Sequence, residues 1–404
     1  NLFPCGNPWD SSKRLWCASD ARTLKYLHDS IREIFSRVPA LGGLLAITHG
    51  ERACSCFSAF GATDDMAVPD CPVCAKREPW RLHWALTEAL VSGMREVNPK
   101  AEMLSWFYMP YATEKRAKWV SEVARHLPPG VTLLANFESG IVCTQLGRAR
   151  IGGDYWLSAV GPARPFDEIA AAARESGVPF GAKIQVGCSH EDATLPFVPV
   201  PGLLYRKYKA MHDAGCSSVL QCWYFGNYPG VMNKAAGRLA FSDFSEGEKS
   251  FLLELAREDW GEDAEEVSEI WESLADAYSR YPLSNAMQYY GPFHAGVVWP
   301  LEPDLELKPL GRTWVCEKEP AGDAICECLA DHTMAEALEL ARQMRNVCEP
   351  VVGRLDRLAC KYESERERFL DIGVMRALTL QFASAFDIFD FYAARAEAVV
   401  ASRE

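Results

Sequence analysis

The stretch Leu44-Leu45-Ala46-Ile47-Thr48-His49-Gly50-Glu51 decides the fold. Four apolar residues in a row are too few for a helix, and Gly42 and Gly43 bound them on one side. Such a run reads as a buried parallel strand whose carboxyl end turns polar. Just upstream, Leu24, Leu27, Ile31, Ile34 and Phe35 repeat at helical spacing. Ser19 or Asp20 can cap that helix, and Pro39 stops it, so a helix is expected over 19–38.

The same pairing recurs down the chain. A Cys- and Pro-containing loop (52–79) leads to a helix at about 80–97 and a strand at 103–108. Helix 113–126 leads to strand 131–137. A loop at 139–165, with an extended segment at 155–160, leads to helix 166–175 and strand 180–186. Helix 203–213 leads to strand 218–224. Five β/α units in sequence predict a parallel sheet covered by helices.

Polar and aromatic residues cluster after each strand, which are the ends that build active sites in a (β/α)8 TIM-type barrel. A doubly wound sheet is the rival, but its Gly-rich phosphate turn is missing from the sequence. The expected fold is thus an α/β barrel over 1–243, with its first strands upstream or on another chain. An all-helical domain follows over 244–404, with helical periodicity at 245–281, a Pro- and Gly-containing connection at 282–332, and long helices at 333–349 and 353–402.

Composition narrows the function. Hydrophobic residues make up 49% and charged residues 24% of the 404, which marks a globular protein rather than a disordered one. A net charge of −13 would repel phosphates, so no nucleic-acid partner is expected. No run of about 18 apolar residues stands out, and no membrane partner is expected. The 15 cysteines are an odd number, and Cys143, Cys222, Cys348 and Cys360 fall on apolar strand or helix patterns. Reduced thiols and a cytoplasmic location follow from that pattern, with export as the alternative if the N-terminus is processed.

Three glutamates sit where barrel chemistry happens. Glu51 follows the first strand directly, beside a glycine that permits close approach, and is placed to protonate a leaving oxygen. Glu138 ends the strand holding Asn136, and Glu191 follows 180–186 beside His190. Glycoside hydrolysis needs two such groups, one acid and one nucleophile or base. On 2-acetamido sugars the substrate's own amide can serve as nucleophile instead. Trp106, Tyr108, Trp223 and Tyr228 offer faces for a sugar ring, while His49, Asn136, Gln185, His190 and Asn227 offer hydrogen bonds. Each also has a plainer reading, as barrel filling or a solvated loop charge. Cys54-x-Cys56 and Cys71-x-x-Cys74 could together hold a structural zinc, or form disulfides. No cofactor is required for the catalysis itself.

These residues resemble hexosaminidase-type glycoside hydrolase barrels. The strand followed by His49-Gly50-Glu51 resembles the fourth-strand motif of family 20. The Cys-x-x-Cys segment and strand 103–108 resemble the related family 163 barrels. Gln221-Cys222-Trp223-Tyr224-Phe225-Gly226-Asn227-Tyr228-Pro229 resembles their last-strand stretch. The resemblance spans about 15–300. It implies that Glu51 is the acid/base and Trp223 a wall of the sugar pocket. Family 20 carries an Asp immediately before the catalytic Glu, whereas this chain has Gly50. A retaining pair, with Glu191 as nucleophile or Glu138 in its place, therefore competes with the substrate-assisted route. The expected substrate is an N-acetylhexosamine-containing or related β-linked glycan. A uronidase, a galactosidase or a non-catalytic carbohydrate-binding barrel are the alternatives. A homo-oligomer, or a partner segment supplying the missing strands, completes the expectation.

Overall fold

The computed structural model describes residues 5–6, 13–50, 53–61, 68–108, 118–187, 190–221, 229–304, 325 and 328–402. Two compact units emerge. The first comprises 1–141, 162–184 and 211–220, and the second comprises 142–161, 185–210 and 221–404. They interleave along the chain and do not follow a single cut at 243.

The first unit carries the parallel sheet. Its strands are β3 (Gly43–His49), β4 (Glu102–Phe107), β5 (Val131–Asn136), β8 (Phe180–Ile184) and β9 (Ser218–Gln221), hydrogen-bonded in that order. Two short strands precede them, β1 (Cys5–Gly6) and β2 (Arg14–Leu15), paired antiparallel. The helices between strands are α1 (Ala21–Arg37), α2 (Pro79–Arg95), α3 (Trp119–Arg125) and α4 (Arg164–Glu175). Asp20 caps α1 by accepting the Arg22 N–H at 2.9 Å, as its short carboxylate suits.

Each helix packs on the next, α1 on α2, α2 on α3 and α3 on α4. The apolar stripe of α1 and α2 (Phe35, Val91, Met94) buries Met103 of β4 and Val131 of β5. Burial of such side chains contributes about 1.5–3 kcal/mol each. A strand order that never reverses, with successive helices in a row, is the progression of a β/α barrel. A doubly wound sheet would reverse its order at a switch point. Among the described residues the sheet has five strands and remains open.

The second unit holds most of α5 (Pro201–Asp213), then α6 (Val231–Leu239), α7 (Glu248–Trp260), α8 (Ala264–Tyr278), α9 (Asn285–Tyr289), α10 (Pro292–Ala295), α11 (Met334–Lys361) and α12 (Arg366–Ala401). It also holds the hairpin of β6 (Val142–Gln145) and β7 (Arg148–Ile151). Leu146 and Gly147 turn that hairpin with φ of 49° and 77°, the handedness that matches strand twist. The extended segment expected at 155–160 is instead irregular backbone, and Tyr155 has φ 71°. The helix break expected at 350–352 is displaced as well. α11 runs through Pro350, because Cys348, Val351 and Leu355 are buried on one face and hold it helical.

α12 is long and apolar enough, by length and composition, to cross a membrane. One 18-residue window has mean hydropathy 1.3 and is 50% buried. Here Leu378, Phe382 and Phe389 of that helix are buried within the second unit, where α12 packs on α11 and α10.

Candidate active site

Strand alternation sorts the sheet's side chains into two faces. Met103 and Val131 meet α1 and α2, and Phe137 meets Phe166 of α4 at 5.0 Å, so these positions mark the helix side. Trp106 and Asn136 point the other way. The indole N–H of Trp106 donates to Asn136 Oδ1 at 2.8 Å, and the Trp106 and Tyr108 rings lie 4.9 Å apart. Asn136 pairs in register with Lys183 of β8, and Glu138 follows two residues after the end of β5. Trp106, Asn136, Glu138 and Lys183 are all buried.

The first unit therefore brings the Trp106 indole, the Asn136 amide and the Lys183 amino group to one face near the carboxyl ends of adjacent strands, with Glu138 two residues beyond β5. Such a set can grip sugar hydroxyls and move a proton. Sequence reasoning missed Lys183. Its signal was one charged residue inside the apolar run Phe180–Ile184.

His49 lies elsewhere. The register steps from Ile47↔Trp106 to His49↔Phe107, so one extra residue, Thr48, is inserted. Such a bulge reverses the alternation. His49 turns to the helix side, among Phe57, Phe107 and Trp119, with centroids 5.3–5.7 Å away. Its Nε2 lies 2.6 Å from the carbonyl of Phe60. Burial lowers its pKa to about 4 and keeps the ring neutral. That geometry corrects the sugar-contact reading of His49 and makes it a packing residue. Gly50 follows with φ 120°, and a Cβ there would sit 1.1 Å from the Tyr108 carbonyl oxygen. The glycine makes room for a neighbouring backbone, so an Asp at this position has no space.

In the second unit Glu191 is wholly buried. Its carboxylate accepts the backbone N–H of Leu157 at 2.6 Å and of Ser158 at 3.2 Å. Burial raises its pKa, while those amides and the Lys207 ammonium pull it down. Lys207 itself donates to the carbonyl of Trp156. Asp192 is also fully buried, and burial plus the charge of Glu191 hold it well above the usual carboxylate range. His190 packs against Tyr155 and Tyr289, and its carbonyl lies 2.6 Å from Nδ1 of His294. Gln185 is buried. In this setting Glu191 pins the 152–160 loop.

Glu51, Trp223, Asn227 and Tyr228 lie outside the described residues. The four-cysteine expectation needs a correction. Cys54 is exposed, with its sulfur 3.7 Å from Ser58 Oγ. Cys56 and Cys71 are joined instead by Cys5 and Cys17, and the four sulfurs lie within 4.8 Å of one another. Cys74 sits beside them, 3.6 Å from Cys17. The tighter Cys-x-Cys gap carried the warning, because it is one residue short of the usual spacing of a zinc-binding cysteine pair.

The second unit also has a 510 Å³ cleft whose lining includes Trp260, Trp271, Asp259, Arg368 and Asp371. Arg368 bridges Asp259 at 3.3 Å and Asp371 at 3.2 Å.

A scan against protein families finds no match. No curated protein matches either. One solved structure with a similar course is a GH138 enzyme targeting pectin rhamnogalacturonan II. It is 12% identical with a TM-score of 0.47, and the match covers 92% of this chain and 42% of that one. The chain thus spans less than half the length of that protein.

Proposed function

We propose that this chain hydrolyses glycosidic bonds by carboxylate chemistry. The observation that carries the reading is the buried row of Trp106, Asn136 and Lys183 near the carboxyl ends of consecutive parallel strands, with buried Glu138 just past β5. Glu51 is the acid/base in this proposal, since it directly follows the strand that leads the series. Glu138 is preferred over Glu191 as the second carboxylate. Glu191 already accepts two backbone N–H groups, which suits a loop anchor better than a nucleophile. Lys183 and Asn136 would hold sugar hydroxyls, and Trp106 would back the ring. A β-linked hexosamine is the first substrate class to try, and uronides and galactosides come next. A partner segment would supply the remaining barrel strands.

A panel of aryl glycosides tests the proposal. Glu138→Gln is expected to keep the thermal midpoint while turnover falls about 10²–10⁴-fold, the usual worth of such a group. Full activity in that variant, or in Glu51→Gln, removes the assignment. The second reading, sugar binding without cleavage, draws on the Trp260 and Trp271 cleft, whose acids are already paired with Arg368 and Lys234. Saturable glycan binding with no product after long incubation would favour it.

A further inference from the structure

We infer that Cys5, Cys17, Cys56 and Cys71 form a structural zinc site in the first unit. The backbone builds it from four separate segments, joined by three pairings. β1 pairs with β2 so that Cys5 faces Leu15, and Gly6 bridges Asp70, the residue before Cys71. Trp16 donates its N–H to the Cys54 carbonyl at 3.0 Å and accepts the Cys56 N–H at 2.9 Å. That exchange sets Cys17 beside Cys56. Three chain crossings therefore converge on one point, and every sulfur there is buried: Cys5 5% exposed, Cys17 7%, Cys56 0%, Cys71 5%.

The spacing suits one small ion. Thiolates bound tetrahedrally at a Zn–S length of about 2.3 Å stand about 3.8 Å apart. Cys17 and Cys71 are 3.9 Å apart, and all four sulfurs lie within 4.8 Å of one another. Four protein sulfurs leave no open position, so the ion is structural rather than catalytic.

Cys71-Pro72-Val73-Cys74 forms the turn typical of a metal knuckle. The Cys74 N–H points at Cys71 Sγ at 3.4 Å, a donor that stabilises a thiolate. The Cys74 thiol rests 3.1 Å from Ser19 Oγ, and it supports the site as a positioning residue. On binding, four thiols lose their protons to solvent and no electrons move. The ion clamps the loop that leaves β3, whose Phe60 carbonyl is held by His49.

The full chain, purified without chelator under reducing conditions, tests this by elemental analysis, cobalt substitution and intact mass. One zinc per chain and a cobalt–thiolate charge-transfer band are expected. Single Ser replacements at Cys5, Cys17, Cys56 or Cys71 should each reduce bound zinc to below about a tenth. Cys74→Ser should keep one zinc per chain with affinity lowered about tenfold, and Cys54→Ser should change nothing. A variant that fails to fold leaves the cobalt spectrum of the unaltered chain to decide. A metal-free chain, iron in place of zinc, or a non-reduced chain lighter by one H₂ per disulfide would overturn the site. Complete metal loss in Cys74→Ser would overturn this choice of four.

Discussion

A single missing methyl group governs the turn after β3. Gly50 adopts φ 120°, a region side chains rarely enter, and a Cβ would overlap the Tyr108 carbonyl oxygen. Gly50→Ala is therefore expected to lower stability by roughly 1–3 kcal/mol or more, read as a drop in urea midpoint. An unchanged midpoint would mean that the chain crosses there differently. The neighbouring histidines set a pH dependence. Burial lowers His49 to about 4 and His83 to about 3, from 6.5 in an exposed ring. Their folded pKa values are depressed, so the unfolded chain binds more protons in this window. Stability is full above about pH 6.5 and is lost as pH falls toward 4. For His49 alone the loss amounts to roughly 3 kcal/mol at 1.36 kcal/mol per unit. His83 is held by Ser105 Oγ at 2.8 Å, and a Gln there can keep that bond. His83→Gln should flatten the decline of the thermal midpoint between pH 6.5 and 4. An equally steep decline would assign the effect to other groups.

Elements were legible wherever one period ran uninterrupted. The stripe Leu27, Ile31, Ile34, Phe35 predicts α1, and Leu44–Ile47 predicts β3 within a residue or two. Inserted residues were not legible. Thr48 adds one to β3, and nothing in Leu44-Leu45-Ala46-Ile47 announces it, because the register belongs to the pairing with β4. The facing of His49 was lost with it, whereas Trp106 and Asn136 lie on strands without a register shift. Pro350 misled in the opposite sense. A proline inside a helix costs about 3 kcal/mol locally, but the buried face of α11 offsets it. α11 begins on a reciprocal cap, with Thr333 Oγ1 accepting the Glu336 N–H at 3.2 Å and Glu336 accepting the Thr333 N–H at 2.8 Å. Glu336 also meets Arg148 and Arg150 at about 3 Å. Thr333→Ala should cost about 1 kcal/mol, seen as a lower midpoint with unchanged helix content. No change at all would show that the arginine contacts suffice.

At the level of the molecule, chain order and spatial order part company. The sequence shows a composition shift near 244, yet the segments 142–161 and 185–210 group with the residues beyond 221. Single hydrogen bonds make the reason concrete. Gln145 donates to the Tyr281 carbonyl and accepts the Leu283 N–H, both at 2.8 Å. Gln288 donates to the carbonyls of Asp154 and Tyr155, and the Tyr281 hydroxyl donates to the carbonyl of Glu191. Such partners lie far apart in sequence, and periodicity cannot see them. A fragment ending at 243 should therefore lose order over 142–161 and 185–210. Limited proteolysis would cut there first, whereas the whole chain resists. A fragment as resistant as the whole chain would show that those loops stand alone.

Synthesis on a ribosome meets the same arrangement as a delay. The β6–β7 hairpin leaves the exit tunnel long before its partners at 281–288 exist, a gap of 136 residues for Gln145 alone. At about 5–20 residues per second the wait is roughly 10 seconds. Throughout it, Gln145 lacks the Tyr281 and Leu283 backbone groups that it bonds in the folded chain. A nascent chain of this kind offers chaperones a defined interval in which to act, and slowing translation past residue 161 would lengthen it.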